Sequence, residues 1–354
     1  MKILVIQQKM IGDVLVTSIL CDNLRKAYPT AIIDYMVYES TKAVLEGNTS
    51  FNRLILFEKK HQTSKWEYFK LIKSIHQEKY DIVIDAYSKL ESWLVVLFSG
   101  AKKKISYKKR GREFLYTNTV ERTKTSKSNL GLIIDQRLAL LEPLHLKIEL
   151  DNFPQIYATK KEHEYATSLF NLHAVNQSKK TIMLSILGSS LDKTYPLLYM
   201  SKLLDFIASK GNINLLFNYM PSQKEEATVI YDACNEGTKS KLYPQVLGKN
   251  IREFIAIMNS CDLIIGNDGG AINMAKALGK PSFIIFSPWI DKKGWATFED
   301  GIKHVSVHLE EFKPELFINK SAKMVKKENA LFYKEFSPEL IYPVLETFLR
   351  THAV

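Results

Sequence analysis

Short apolar segments rich in Ile, Val and Leu alternate with helical segments along most of this chain, and this alternation limits the possible folds more than any other feature. In the first half, strands are predicted at 3–6, 32–37, 53–57 and 81–85, and helices at 14–27, 41–45, 65–77 and 132–142. Almost wholly apolar strands that alternate with helices are typical of parallel sheets covered on both faces. The pattern therefore predicts an α/β fold.

The same alternation starts again in the second half. Strands are predicted at 181–184, 212–218, 262–265 and 282–286, and helices at 160–170, 197–210, 224–234, 251–260, 271–278 and 338–350. At 354 residues and 46% hydrophobic content, the chain is long enough for two cores. The prediction is two doubly wound domains that face each other across a cleft, with a linker near 150–175. We place the domains at 1–160 and 161–335, followed by a terminal helix, 336–354, that packs back on the first domain.

Composition excludes several classes of protein. No apolar run is long enough to span a bilayer, and the start of the chain is predicted to be a strand and not a signal peptide. The three cysteines have no metal-site or disulfide spacing, so the expected compartment is the cytoplasm. The net charge of +11 is concentrated between Lys102 and Arg112. This stretch is predicted to be a loop-rich surface that is either simply solvated or faces nucleic acid or a phosphorylated membrane lipid.

The loop after the first strand carries the first candidate site. Ligands of open α/β sheets bind outside the carboxyl ends of the strands. Here Gly12 would allow the backbone to approach a ligand closely, and Asp13 could accept a proton from a substrate hydroxyl. The alternative is that Asp13 is an ordinary acidic residue at a helix amino end, stabilised by the helix dipole. A single glycine does not make a dinucleotide-binding fingerprint.

Three loops of the second half could bind phosphate or sugar. Gly188, Ser189, Ser190 and Lys193 offer backbone amides, hydroxyls and a positive charge, although such a composition is also common in ordinary loops. Asp268, Gly269, Gly270 and Ala271 form a glycine-rich helix start, where free N–H groups favour phosphate; Asp268 could cap this helix or hold a sugar hydroxyl. Glu225 and Glu226 could accept hydrogen bonds from ribose hydroxyls or belong to a solvated helix start. No metal-binding or hydrolase motif is present.

In their order and spacing, these segments resemble the heptosyltransferase family, glycosyltransferase family nine. The resemblance rests on the start of the chain through Gly12-Asp13, on 80–85, on 264–270, on 275–281 and on 286–288 before Trp295. It implies the GT-B fold of two facing Rossmann-like domains. It also implies an inverting, metal-independent transfer of a heptose, with ADP-heptose as the expected donor, no cofactor, and an inner-core lipopolysaccharide or lipooligosaccharide acceptor.

The resemblance also assigns roles to residues. Asp13 is the implied base that deprotonates the acceptor hydroxyl, Lys193 meets the donor diphosphate, and Glu225 or Glu226 binds the ribose. The 268–271 turn holds the donor phosphates and sugar, whereas Asn273 stands where the family usually has histidine, so the sugar specificity is open. The basic loop, with Lys108, Lys109, Arg110 and Arg112, would face an acidic, lipid-linked acceptor at the inner membrane surface.

Two other functions remain open at this stage. One is a GT-B transferase that uses a different nucleotide sugar. The other is a non-catalytic protein that binds a lipid or nucleic-acid surface through its basic cluster, although no aromatic stacking motif supports nucleic acid and no nucleic-acid partner is expected. The sequence gives neither the acceptor, the linkage position nor the oligomeric state.

Overall fold

Eleven β-strands and fifteen α-helices alternate along the computed structural model, which describes residues 1–354. The chain divides into two units, Met1–Tyr157 and Ala158–Val354. The division falls within a few residues of the predicted boundary at 160. Each unit is an α/β fold built on one parallel sheet, which confirms the predicted fold class.

The first unit has a six-stranded sheet. Its strands are β1 (Lys2–Ile6), β2 (Ile32–Tyr38), β3 (Arg53–Phe57), β4 (Ile82–Asp85), β5 (Lys103–Tyr107) and β6 (Asn118–Val120). Its helices are α1 (Ile11–Ala27), α2 (Lys59–Thr63), α3 (Lys65–Gln77), α4 (Leu90–Phe98) and α5 (Leu132–Ala139). The strand order is β3-β2-β1-β4-β5-β6, that of a dinucleotide-binding Rossmann fold. The order reverses between β1 and β4, and the crevice outside their carboxyl ends is where such sheets bind ligands.

The second unit has a five-stranded parallel sheet. Its strands are β7 (Thr181–Ser185), β8 (Asn214–Asn218), β9 (Leu263–Asn267), β10 (Ser282–Ile285) and β11 (His304–Val307). Its longer helices are α6 (Lys160–Leu172), α7 (Leu197–Lys210), α8 (Lys224–Ala233), α10 (Ile251–Asn259), α11 (Gly270–Ala277) and α15 (Pro338–Thr351). Four short helices complete it: α9 (Glu236–Lys239), α12 (Lys292–Trp295), α13 (Ala322–Lys327) and α14 (Asn329–Glu335). The order β11-β10-β9-β7-β8 reverses between β7 and β9.

Three strands were not predicted from the sequence. β5 lies inside the basic stretch that we predicted to be loop-rich, and β6 follows it. Lys103 and Lys104 occupy the start of β5 and obscure its pattern, but Ile105 and Tyr107 are buried and the strand pairs with β4. β11 was missed because it is short and half polar, although His304 and Ser306 are buried in the sheet. Tertiary pairing supplied the stability that these segments lack locally.

The terminal helix corrects a second expectation. α15 belongs to the second unit and not to the first, because Ile341, Leu345, Phe348 and Leu349 lie in the hydrophobic core of the second unit together with residues of α7. These four side chains recur at helical spacing and form one apolar stripe, which the second unit buries.

A bilayer crossing needs more length and apolarity than any helix in the structure provides.

Gly266, near the end of β9, lies so close to β7 that no side chain fits. Its φ is +140°, and a Cβ atom would lie 2.2 Å from the Ser185 carbonyl oxygen. We expect Gly266→Ala to lower the free energy of unfolding by at least about 2 kcal/mol. The cost of a backbone conformation that alanine rarely adopts would be added to the cost of the clash with the Ser185 carbonyl. Gly269→Ala is the matched control, since its Cβ would meet nothing within 4 Å. Denaturant titration of both variants checks this, and equal stability would contradict it.

Candidate active site

Asp13 lies in the first turn of α1, directly after β1 and beside the point where the strand order of the first unit reverses. Its side chain is 20% exposed, and its carboxylate forms an ion pair with the Arg137 guanidinium at 2.9 Å. Gly12 precedes it as the second residue of the same helix. Asp13 is therefore more than a solvated helix-start residue, because a buried cation fixes its position.

Arg137, on α5, is only 3% exposed and is held by several side chains of the first unit. Its guanidinium donates to the Thr17 hydroxyl at 2.7 Å, the Tyr107 hydroxyl at 2.8 Å and the Gln7 amide oxygen at 3.4 Å. A buried guanidinium with this many partners is a fixed charge. It orients the Asp13 carboxylate through their ion pair. Sequence analysis missed Arg137, since only tertiary packing brings α5 to α1.

Several polar atoms near the same end of the first sheet are buried without a partner in the protein. They are both amide atoms of Gln8, the Tyr38 and Ser88 hydroxyls and the Trp93 indole nitrogen. Gln8 follows β1, Tyr38 ends β2, and Ser88 follows β4. Buried polar groups normally have hydrogen-bond partners, so such a cluster at a ligand-binding edge is well suited to the hydroxyls of a bound molecule.

The basic loop follows β5 at this edge of the sheet. Arg112 stacks on the Trp93 ring at 3.8 Å from its centroid, and Lys108 pairs with Glu121 at 2.6 Å, whereas Arg110 is exposed. The pKa of Lys109 is lowered by desolvation and by the charges of Arg112, Lys89 and Arg122. Cations that repel one another in this way favour an anion among them. Of the four basic residues predicted to bind the acceptor, Lys109 and Arg112 lie in this concentration of charge.

In the second unit, the loop after β7 folds back on itself at Gly188. A Cβ atom there would lie 2.4 Å from the Lys193 carbonyl oxygen, so only glycine fits. The Gly188 N–H donates to the Thr194 hydroxyl at 3.1 Å, and its carbonyl accepts from the Gln223 amide at 2.8 Å. Ser189 and Ser190 are exposed, and the Ser190 hydroxyl donates to Asp192. This closure fixes the backbone that carries Lys193.

Asp268 and the start of α11 follow β9, on the other side of the reversal point in the second sheet. Burial raises the pKa of Asp268, while Lys193 and Lys276 oppose this. The loop after β7 and the turn after β9 are therefore brought together, as predicted from the general rule for such sheets. No side chain caps α11, whose N-cap residue is Gly269, so the capping role considered for Asp268 is not what the structure shows. The helix start keeps N–H groups available to an anion.

The remaining predicted donor residues lie at or near this edge. Asn273 turns its side-chain amide back to the Gly269 carbonyl at 3.3 Å. Gly270 and Ala271 are the first residues of α11. Glu225 and Glu226 are in the first turn of α8, close in sequence to Gln223, which bonds to Gly188. Glu225 is exposed and Glu226 is half-buried.

Two lysines of the second unit were missed by sequence analysis. The Lys326 ammonium lies 4.0 Å from the centroid of the Trp289 ring and forms an ion pair with Asp192 at 2.8 Å. The Lys193 ammonium lies over the same ring, 5.6 Å from its centroid. Lys276, on α11, is 3% exposed and donates to the Thr297 carbonyl at 2.5 Å. The sequence feature that could have identified Lys276 as buried is that it is the single charged residue in the otherwise apolar segment 274–278. No group of three or more potential metal-ligating side chains occurs in residues 1–354.

Lys276 predicts a pH dependence of stability. Burial lowers its pKa from 10.5 to about 8, against the attraction of Glu299, Asp268 and Asp300. Between these values the unfolded chain binds a proton that the folded protein has released, so stability rises with pH. Relative to Lys276→Met, the unfolding free energy of the unmodified protein should increase by up to roughly 3 kcal/mol from pH 8 to pH 10.5. Chemical unfolding of both proteins across this range checks it; a constant difference would contradict it.

Two Rossmann-like units, each built on one parallel sheet, are the architecture of the GT-B class of glycosyltransferases. The model of glycosyltransferase family 9 (heptosyltransferase) matches residues 68–326. The chain therefore belongs to this family and is a glycosyltransferase, which rules out the non-catalytic alternative. The family is the one that the sequence motifs had indicated.

The chain is also similar to curated heptosyltransferases and to solved glycosyltransferase structures. The chain is 23% identical over 279 residues to lipopolysaccharide heptosyltransferase 3 of Escherichia coli, covering 78% of this chain and 80% of that one. A family 9 glycosyl transferase from Veillonella parvula matches with a TM-score of 0.79 at 19% identity, over 98% of this chain and 97% of that chain. An E. coli heptosyltransferase with ADP-2-deoxy-2-fluoro heptose matches with a TM-score of 0.65 at 16% identity, over 92% of this chain and 98% of that chain.

Proposed function

We propose that this protein transfers a heptose from ADP-heptose to an inner-core lipopolysaccharide or lipooligosaccharide acceptor, with inversion at the anomeric carbon. The observation that carries the proposal is the grouping of Lys193, Asp268 and the uncapped start of α11 at the carboxyl edge of the second sheet. This grouping suits a sugar diphosphate, and the solved relative with an ADP-heptose analogue supports the choice of donor.

The donor would be held entirely by the second unit. The N–H groups at the start of α11 and the Lys193 ammonium neutralise the diphosphate, and Asp268 accepts a hydrogen bond from a sugar hydroxyl. Glu226, half-buried at the start of α8, is better placed than the exposed Glu225 to accept hydrogen bonds from both ribose hydroxyls. These groups also stabilise the negative charge that develops on the leaving ADP, and the proposal therefore needs neither a metal ion nor a cofactor.

The acceptor would be bound by the first unit. Asp13 takes the proton from the acceptor hydroxyl as its oxygen attacks the anomeric carbon and the bond to the diphosphate breaks. Arg137 holds the Asp13 carboxylate in position through their ion pair. The unpartnered atoms of Gln8, Tyr38 and Ser88 would meet sugar hydroxyls, and Lys109 and Arg112 would meet phosphate or carboxylate groups of the acceptor. We place this reaction in the cytoplasm, where the acceptor would be presented at the inner membrane surface.

A different nucleotide sugar is the second candidate, and Asn273 favours it. Asparagine cannot carry the positive charge of the histidine that the family usually has there, and its amide is bonded to Gly269. A donor sugar with other hydroxyl contacts would then fit better. The acceptor side of the mechanism would be unchanged.

Thermal unfolding with different nucleotides tests the donor. ADP-heptose at one hundred times its Kd should stabilise the protein by about 2.7 kcal/mol, whereas ADP alone should give a smaller shift at the same concentration. UDP-hexoses should give little or none. A larger shift with a UDP-hexose than with ADP-heptose would favour the second candidate, and no shift with any nucleotide would contradict donor binding.

A further inference from the structure

Helices α3 and α4 of the first unit expose a continuous set of large apolar side chains to solvent. Trp66 is 64% exposed, Phe69 55% and Phe98 52%, and Leu90, Leu94 and Leu97 are also exposed. Between the two helices lies a groove of about 590 Å³, with Phe69, Leu94 and Phe98 among its lining residues. We call these exposed residues and the groove the α3–α4 face. Single exposed apolar residues are common, but a contiguous patch of this kind marks an interaction surface.

Lysines border this face. Lys65 and Lys73 line the groove itself, and Lys70 lies 5.6 Å from the centroid of the Trp66 ring. α3 carries one acidic residue, Glu67, which is paired with Lys70. Beyond the end of α4 the chain continues with Lys102, Lys103 and Lys104. A patch of tryptophan, phenylalanine and leucine bordered by lysines has the chemistry of a segment that lies in the headgroup region of an anionic bilayer.

We propose that the α3–α4 face docks this protein on the surface of an anionic lipid bilayer. The aromatic and leucine side chains enter the boundary between headgroups and acyl chains, while the lysines contact the lipid phosphates. α3, with 13 residues, would lie roughly 20 Å along the membrane plane.

Charge argues against a second copy of the chain as the occupant. A symmetric dimer through this face would bring the same patch of each copy together, and with it Lys65 and Lys73 close to their equivalents. Like charges brought together without counter-charges oppose association. An anionic lipid surface supplies those counter-charges.

The position of the face within the first unit agrees with such a role. In a parallel α/β sheet the helices run opposite to the strands, so the starts of α3 and α4 lie near the carboxyl ends of the strands. Trp66 and Leu90 are at these helix starts, and the basic loop and Asp13 are at the same edge. Docking would thus bring the acceptor-binding edge near the membrane. This last step rests on the proposed function, whereas docking itself does not.

Co-sedimentation with vesicles tests the proposal on the full-length protein without donor or acceptor. The unmodified protein should bind phosphatidylcholine vesicles that contain phosphatidylglycerol, more weakly at high salt, and should bind pure phosphatidylcholine poorly. Trp66→Ser with Phe69→Ser should weaken binding at least about tenfold, and Lys65→Glu with Lys73→Glu should do the same. Leu172→Ser, at a 76% exposed leucine of the second unit, is the matched control and should change nothing.

Three results would overturn the proposal. The unmodified protein could fail to bind the anionic vesicles, or the Trp66/Phe69 variant could bind them equally well. The protein could also be a dimer in solution that this variant converts to a monomer, which would assign the face to a second copy. Because all replaced residues are exposed, folding should be unaffected. An unchanged thermal shift with ADP-heptose in each variant separates failure of docking from failure of the proposed function.

Discussion

Asp13→Asn should lower kcat/KM for sugar transfer by about 100- to 10,000-fold, the usual contribution of a general base. Asparagine keeps the shape of the side chain but cannot accept the proton of the acceptor hydroxyl. The donor is bound by the second unit in our proposal, so its Kd should not change. A coupled assay of ADP release with saturating donor, together with a donor-binding measurement, would show both.

The same substitution removes the partner of a buried cation, which must be separated from the loss of the base. Arg137 would lose its only carboxylate partner, and we expect the protein to be destabilised by about 1 to 3 kcal/mol. Activity should therefore be measured well below the unfolding temperature. Asp22→Asn, on the same helix, is the matched control and should retain activity. If Asp13→Asn kept more than about a third of the activity, the base would have to be another residue.

Lys193→Ala should lower kcat/KM by about 100- to 1,000-fold, because the charge on the departing diphosphate would lose its main stabilising cation. No carboxylate forms an ion pair with Lys193 in the structure, so its charge is available to a ligand; its ammonium lies over the Trp289 ring. Binding of ADP-heptose should weaken as well, since the ground state also carries the diphosphate. Steady-state kinetics with varied donor and calorimetric titration would measure the two effects.

Lys326→Ala is the control for this substitution. Lys326 lies over the same Trp289 ring, but Asp192 already pairs with it, so its removal should change kcat/KM by less than about fivefold. Lys193→Arg should keep part of the activity, because the charge remains while the geometry changes. Equal losses in the Lys193→Ala and Lys326→Ala variants would show that general positive charge, and not the position of Lys193, is what matters.

The parts of the site that follow strands were predictable from local sequence. The ends of β1, β7 and β9 are marked by Asp13, by Gly188 and Lys193, and by Asp268 to Gly270. In a parallel sheet the strand ends meet at one edge, so the order of elements along the chain was enough to group Lys193 with Asp268. The lysines of β5 and the polar residues of β11 broke the local pattern, and those strands were missed for that reason.

The sequence by itself determined the alternation of strands and helices, the two-unit α/β fold and the family, because each depends on periodicity or on short motifs that need no distant partner. Only the tertiary structure decided that Arg137 holds Asp13, that Lys276 is buried beside Asp268, and that α15 completes the second core. The Arg137–Asp13 ion pair and the packing of α15 join residues far apart in the chain, and the buried Lys276 ammonium is held by Thr297. Their energies come from desolvation and packing, which exist only once the sheets and helices have assembled.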